Sequence, residues 1–154
     1  MKSSNNTILI TGGTSGIGFE LASQFLRLGN VVIITGRDQA RLDATKAKLP
    51  GIHTFQSDAS DPQAISALFD KVTGEFPNLN VLINNAGIMR QINLQAASPS
   101  DDLCQEIEIN LNGPIRMVQK FLPHLRNKEG AAIMNVSSGL AFVPLPTSPV
   151  YSAT

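Results

Sequence analysis

The chain has 154 residues, 12 Lys and Arg against 12 Asp and Glu, and a hydrophobic fraction of 42%. That is the length of one ordinary domain with enough apolar material for a core, which excludes a disordered tail or a fibrous repeat. Zero formal net charge leaves no electrostatic footprint for nucleic acid or an anionic membrane, and no stretch approaches the roughly 18 apolar residues of a membrane helix.

In chain order, the start Met1-Lys2-Ser3-Ser4-Asn5-Asn6 is polar and lacks a signal-peptide core. Thr7-Ile8-Leu9-Ile10 is an apolar run that ends at Gly12-Gly13, and reads as a first strand. Ile17, Leu21, Phe25 and Leu28 then recur at helical spacing, which predicts a helix with those residues on its buried face and Gly29-Asn30 closing it. Val31-Val32-Ile33-Ile34 is β-branched throughout, so a strand buried on both faces is expected. A second helix runs from Asp38 to Leu49 and stops at Pro50-Gly51, followed by a strand over Ile52 to Gln56. Asp61-Pro62 supplies an N-cap and a first-turn proline, and behind it Ile65, Leu68, Phe69 and Val72 form one helical face.

Val81-Leu82-Ile83 makes a fourth strand, and Ser98-Pro99 starts a helix with Asp101 in a capping-box-like position. Met117, Phe121 and Leu125, with Val118 and Leu122 beside them, give a long helix its stripe before a fifth strand over Ala131 to Val136. Strand and helix alternating this regularly predict an α/β fold, a Rossmann-like doubly wound parallel sheet with helices on both faces. Residues 1–154 read as a single nucleotide-binding domain with no linker-like shift in composition.

The first strand leads into Thr11-Gly12-Gly13-Thr14-Ser15-Gly16-Ile17-Gly18. Glycines there allow a tight turn and close approach of a pyrophosphate, and the following helix offers unpaired N–H groups to the anion. A Gly-rich turn also serves plain packing, but its place at the first strand-to-helix junction favours a dinucleotide. At the end of the second strand the chain reads Thr35-Gly36-Arg37-Asp38, with Gly36 where an acidic residue would hold the ribose of NAD, and Arg37 suited to a 2′-phosphate. NADP(H) is therefore expected over NAD(H). His53 and His124 lack metal-ligand spacing, so no metal is expected, and Cys104, inside a helix with no partner motif, reads as a core residue. One cysteine also excludes an internal disulfide and fits a reducing, cytoplasmic compartment.

The spacing of Gly12, Gly16 and Gly18 after Thr11 resembles that of the short-chain dehydrogenases/reductases. Further segments match that family in order: Asp58, Asn84-Asn85-Ala86-Gly87, Asn110, Ser138 and, 13 residues beyond the serine, Tyr151. The runs Asn78 to Ile88, Glu106 to Asn110 and Ser138 to Phe142 are similar to one bacterial branch, the DltE-like proteins, a label that reflects gene neighbourhood and fixes no substrate.

The resemblance implies an NAD(P)(H)-dependent oxidoreductase that moves hydride between nicotinamide and a small carbonyl or alcohol substrate. It implies cofactor contacts at Gly12, Thr14, Ser15, Gly16, Ile17, Gly18, Arg37, Asp58, Asn85, Ala86 and Gly87, with Tyr151 as acid/base, Ser138 as the donor that positions the substrate oxygen, and Asn110 as the relay residue. In the family a lysine four residues after the tyrosine favours the phenolate, and here that position would be 155, one beyond Thr154. The expectation is therefore an N-terminal fragment of a longer enzyme, inactive on its own, with Leu140 to Pro146 a loop that has little to pack on. A homo-oligomer of the complete protein, through helices around residues 100–125, is implied likewise, and the low charged fraction of 16% fits a surface partly covered. The alternatives are a non-catalytic dinucleotide-binding or interaction protein, and, last, a methyltransferase, in which the Asn84-Asn85-Ala86-Gly87 run and the Ser138/Tyr151 pair would have no role.

Overall fold

A computed structural model of the chain describes residues 2–95 and 100–154. Its centre is a five-stranded parallel sheet in the order β3-β2-β1-β4-β5. The strands are β1 (Thr7–Ile10), β2 (Val31–Gly36), β3 (His53–Gln56), β4 (Val81–Asn84) and β5 (Ala132–Asn135), and the helices α1 (Gly16–Arg27), α2 (Gln39–Lys48), α3 (Pro62–Glu75), α4 (Ser100–Ile107), α5 (Gly113–Leu125) and α6 (Pro149–Ser152).

Strand residues alternate between two cores because successive side chains point to opposite sheet faces. Leu9, Ile33 and Leu82 meet Ile65, Leu68 and Val72 of α3 and Met117, Phe121 and Leu125 of α5 on one face. Ile8, Ile10, Val32, Ile34, Val81 and Ile83 meet Ala22 of α1 and Leu42 of α2 on the other. The expected doubly wound sheet is thus present. Val32, Ile33 and Ile34 are fully buried, whereas Val31, at the strand entrance, is exposed.

The helix starts follow local chemistry. Asp38 caps α2 through a bond from the Arg41 N–H at 3.2 Å, and Asp61 caps α3 through one from Gln63 at 2.8 Å, with Pro62 in the first turn. The expected start at Ser98-Pro99 lies outside the described residues. Between α4 and α5 the helix loosens into a π-helical turn over Glu108–Asn112, which inserts an extra residue per turn and shifts the face that follows.

Two expectations are corrected. The buried face of α1 runs through Gly18 and Ala22, with Leu21 and Phe25 partly buried, while Ile17 is 63% exposed and Leu28 also faces out. Glycine carries no apolar signal in a sequence, yet the bare backbone of Gly18 packs tightly against Asn85 and the Gly12 carbonyl. Cys104 is exposed and not in the core, because Glu106 and Ile109 occupy the inward positions of that stretch. His53 packs edge-on against Phe76 at 4.6 Å, and His124 Nε2 lies 3.2 Å from the Leu79 carbonyl. The 140–146 segment is open as read, with Phe142 and Val143 almost bare.

At the amino ends of the strands three asparagines tie the sheet together. Asn30 Oδ1 accepts from the Asn6 backbone N–H at 3.0 Å, Asn80 Nδ2 donates to Asn6 Oδ1 at 3.1 Å, and Asn80 Oδ1 accepts from the Thr7 N–H at 2.9 Å.

Candidate functional site

The strand order reverses between β1 and β4, so the loops leaving their carboxyl ends part and open a crevice, the usual ligand position in such sheets. Thr11 bridges the gap: its Oγ1 accepts from the N–H groups of Asn85 and Ala86, each at 3.0 Å. Asn85 Nδ2 returns two bonds, to the carbonyls of Thr11 at 3.0 Å and Gly12 at 3.1 Å. Gly12 has φ +68°, and a Cβ on it would sit 2.8 Å from Ala86 Cα, so backbone alone fits there. Ser15 precedes α1 without capping it by side chain, which leaves the first-turn N–H groups facing outward.

These groups border a cleft of about 440 Å³. Of the expected cofactor residues, Gly12, Thr14, Ser15, Ile17, Arg37, Asp58, Asn85, Ala86 and Gly87 line it. Gly16 and Gly18 do not: Gly16 shapes the start of α1 with φ +56°, and Gly18 lies behind, against Asn85. Asp58 Oδ1 accepts from the Ser60 N–H at 2.8 Å and its Oγ at 2.7 Å, a turn that holds the acid at the cleft edge. Arg41, which sequence reasoning passed over, joins Arg37 on the exposed rim; its place three residues after the Asp38 cap was the available signal.

A second cleft of about 740 Å³ adjoins the first and shares with it Ile17, Asn85, Ala86, Gly87 and Ile88. Asn110, Ser138 and Tyr151, drawn from the π turn, the loop after β5 and α6, all line this cleft. Asn110 brackets one residue: its Oδ1 accepts from the Ile88 N–H at 2.9 Å and its Nδ2 donates to the Ile88 carbonyl at 2.9 Å. The same Nδ2 reaches Thr154 Oγ1 at 3.1 Å, and that hydroxyl donates to the Tyr151 carbonyl at 2.9 Å. Ser138 Oγ accepts from the Leu140 N–H at 3.2 Å, which fixes the hydroxyl while leaving its proton free to donate. On the cleft floor Asn84 Nδ2 donates to Asn135 Oδ1 at 2.9 Å, and the buried Asn84 Oδ1 finds no partner among the described residues.

Behind the first cleft, Arg116 Nη1 binds Glu108 Oε2 at 2.8 Å and the Ser60 carbonyl at 3.1 Å, tying the Asp58 turn to α5. That bond, then one from Asn112, holds the Glu108 carboxyl below its ordinary 4.5.

A doubly wound parallel sheet with a glycine turn beneath its switch crevice defines the Rossmann type of nucleotide-binding fold. The chain belongs to the short chain dehydrogenase family, whose pattern it matches over residues 6–154. It is 50% identical to a Bacillus subtilis protein named uncharacterized oxidoreductase DltE, over 100% of this chain and 62% of that one. It is 30% identical to the NADP-dependent 3-hydroxy acid dehydrogenase YdfG of Escherichia coli O6:H1, over 96% of this chain and 60% of that one. A solved short chain dehydrogenase/reductase from Burkholderia phymatum, in complex with NAD, superposes with a TM-score of 0.89 at 26% identity, covering 99% of this chain and 56% of that one. The chain thus spans about three fifths of the length of the curated relatives it matches. Among the described residues no helix is long and apolar enough to cross a membrane.

Proposed function

We propose that the protein is an NADP(H)-dependent oxidoreductase acting on a small carbonyl or alcohol. The observation that carries this reading is the shared wall of the two clefts, formed by Ile17 and residues 85–88. A dinucleotide laid along the first cleft would bring its reactive end to Ser138 and Tyr151 in the second. The residues fit such a group: the Gly12 backbone cradle, the uncapped N-terminus of α1 and the Asp58 turn take its phosphate and adenine parts. When bound, nicotinamide supplies or accepts the hydride.

The chain's own groups manage the proton and the geometry. In reduction, Tyr151 donates its phenol proton to the substrate oxygen, and in oxidation its phenolate takes one up. The Ser138 hydroxyl, oriented by the Leu140 N–H, donates its hydrogen bond to that same oxygen. Asn110 holds Ile88 and, through Thr154, the backbone of Tyr151, and so sets the distance between cofactor cleft and acid. Arg37, with Arg41 beside it and no acidic residue at Gly36, supports NADP over NAD. One nucleotide-binding unit over residues 1–154, a cytoplasmic setting and a homo-oligomer through α4 and α5 complete the reading. The exposed Leu122 of α5 favours that last element.

Calorimetric titration of the purified protein with NADPH and NADH tests the reading. NADPH is expected to bind at least tenfold tighter, a difference of about 1.4 kcal/mol. In parallel, NADPH oxidation by the complete protein against a panel of aldehydes and ketones should be abolished by Tyr151→Phe with NADPH binding retained. Absence of binding by either nucleotide overturns the proposal.

A further inference from the structure

Glu106 sits in the last turn of α4 and is fully buried, in the inward stripe that continues through Ile109, Gly113 and Met117. A carboxylate in an apolar stripe is costly unless it is hydrogen-bonded, so the position calls for a reason beyond packing. Its Oε1 accepts the backbone N–H of Arg90 at 2.7 Å. One helical turn on, Asn110 Oδ1 accepts the N–H of Ile88 at 2.9 Å. The N–H of Ile92, in turn, donates to the Thr147 carbonyl at 3.0 Å, on the approach to α6. Three alternate N–H groups of one loop are therefore held by groups from the other segments that build the second cleft. Between the first two stands Met89, which lines that cleft together with Ser138 and Tyr151.

We propose that Glu106 is a positioning residue for the substrate side of the cleft. It acts through the Arg90 backbone, without touching substrate, to set residues 88–92 against the helix that carries Asn110. The inference rests on the reading of that cleft as the place of reaction. Its second oxygen, Oε2, has no partner among the described residues, so glutamine can replace it and keep the one bond that matters.

Amide hydrogen exchange of the purified protein tests the grip directly. In the wild type the amides of Ile88, Arg90 and Ile92 are expected to exchange at least tenfold more slowly than those of Met89 and Gln91. Glu106→Leu should speed exchange at Arg90 tenfold or more, while Glu106→Gln stays within threefold of wild type. In a reductase assay of the complete protein Glu106→Leu should raise KM for the carbonyl substrate tenfold with the NADPH dissociation constant unchanged, and Glu106→Gln should restore it. Wild-type exchange at Arg90 as fast as at its neighbours overturns the proposal, as does Arg90 exchange in Glu106→Leu no faster than in wild type. A glutamine variant that behaves like the leucine one does the same. A Glu106→Leu chain that does not fold leaves the wild-type comparison to decide. Absence of NADPH binding, or of turnover by the complete protein, would instead count against the functional reading, with the exchange rates still judging Glu106.

Discussion

Gly18 lies against the side-chain amide of Asn85, so close that a Cβ on the glycine would collide with Nδ2 and with the Gly12 carbonyl. One helix position thus keeps open the space from which Asn85 holds the whole glycine turn. Gly18→Ala is expected to destabilise the fold by about 1–3 kcal/mol through overpacking. It should also weaken NADPH binding roughly tenfold or more, since displacing Asn85 frees the Thr11 and Gly12 carbonyls. Thermal unfolding and nucleotide titration check the two parts; an unchanged dissociation constant would separate Asn85 from the cofactor site.

Arg37 and Arg41 stand together on the exposed rim of the first cleft. Charge-assisted hydrogen bonds contribute about 1.5–3 kcal/mol each. Arg37→Ala is expected to raise the NADPH dissociation constant roughly tenfold to a hundredfold and leave NADH within threefold. Arg41→Ala should act in the same direction and less strongly. Equal losses for both nucleotides would show that the arginines serve the pyrophosphate instead.

Burial and then the charge of Lys128 hold the His124 imidazole below its ordinary 6.5, outweighing the Leu79 carbonyl. The folded protein therefore keeps this ring neutral where the unfolded chain takes up a proton. Stability from this group is complete above about pH 6.5 and is lost as pH falls from there toward the lowered folded value. His124→Gln should flatten that limb of the stability profile measured by urea unfolding.

The sign is opposite in origin for Glu108, an acid held below its ordinary 4.5 by the hydrogen bond from Arg116. Its contribution is present above pH 4.5 and disappears as pH falls through the lowered folded value. Glu108→Gln is expected to remove part of the acid-unfolding slope while leaving stability near neutrality little changed, as solvent screening weakens such an exposed pair.

The three inner strands β1, β2 and β4 were legible as short apolar or β-branched runs ended by turn residues, and their two-sided burial follows from alternation, whereas the edge strands β3 and β5 are only partly buried. The residues that line both clefts were legible from motif resemblance, since Gly12, Asn85, Asn110, Ser138 and Tyr151 stand in a recognisable order. Physical pattern failed where backbone replaced side chain, as at Gly18, whose inward place displaced Ile17 from the core to the cleft. It failed again at Glu106, because a charge on an inward stripe contradicts amphipathic periodicity. Cys104 was placed on the wrong side of its helix for the same reason, since the inward positions there fall to Glu106 and Ile109. Asn6, Asn30 and Asn80 escaped for a different reason: their bonds join residues 24 and 74 positions apart, which no local spacing reports.

Thr11 and Asn85 are 74 residues apart in the chain, and their bond closes the floor of the first cleft. Helix α1 is held by bonds local in the chain. The floor is not, and the entropy of closing so long a loop must be met before the contact returns anything. A nucleotide would therefore gain its full site only once β1 and β4 have paired. On the proposed function, bound cofactor is expected to act as a lock on the finished sheet and not as a template for building it: unfolding should slow in its presence while the rate of folding stays as it was.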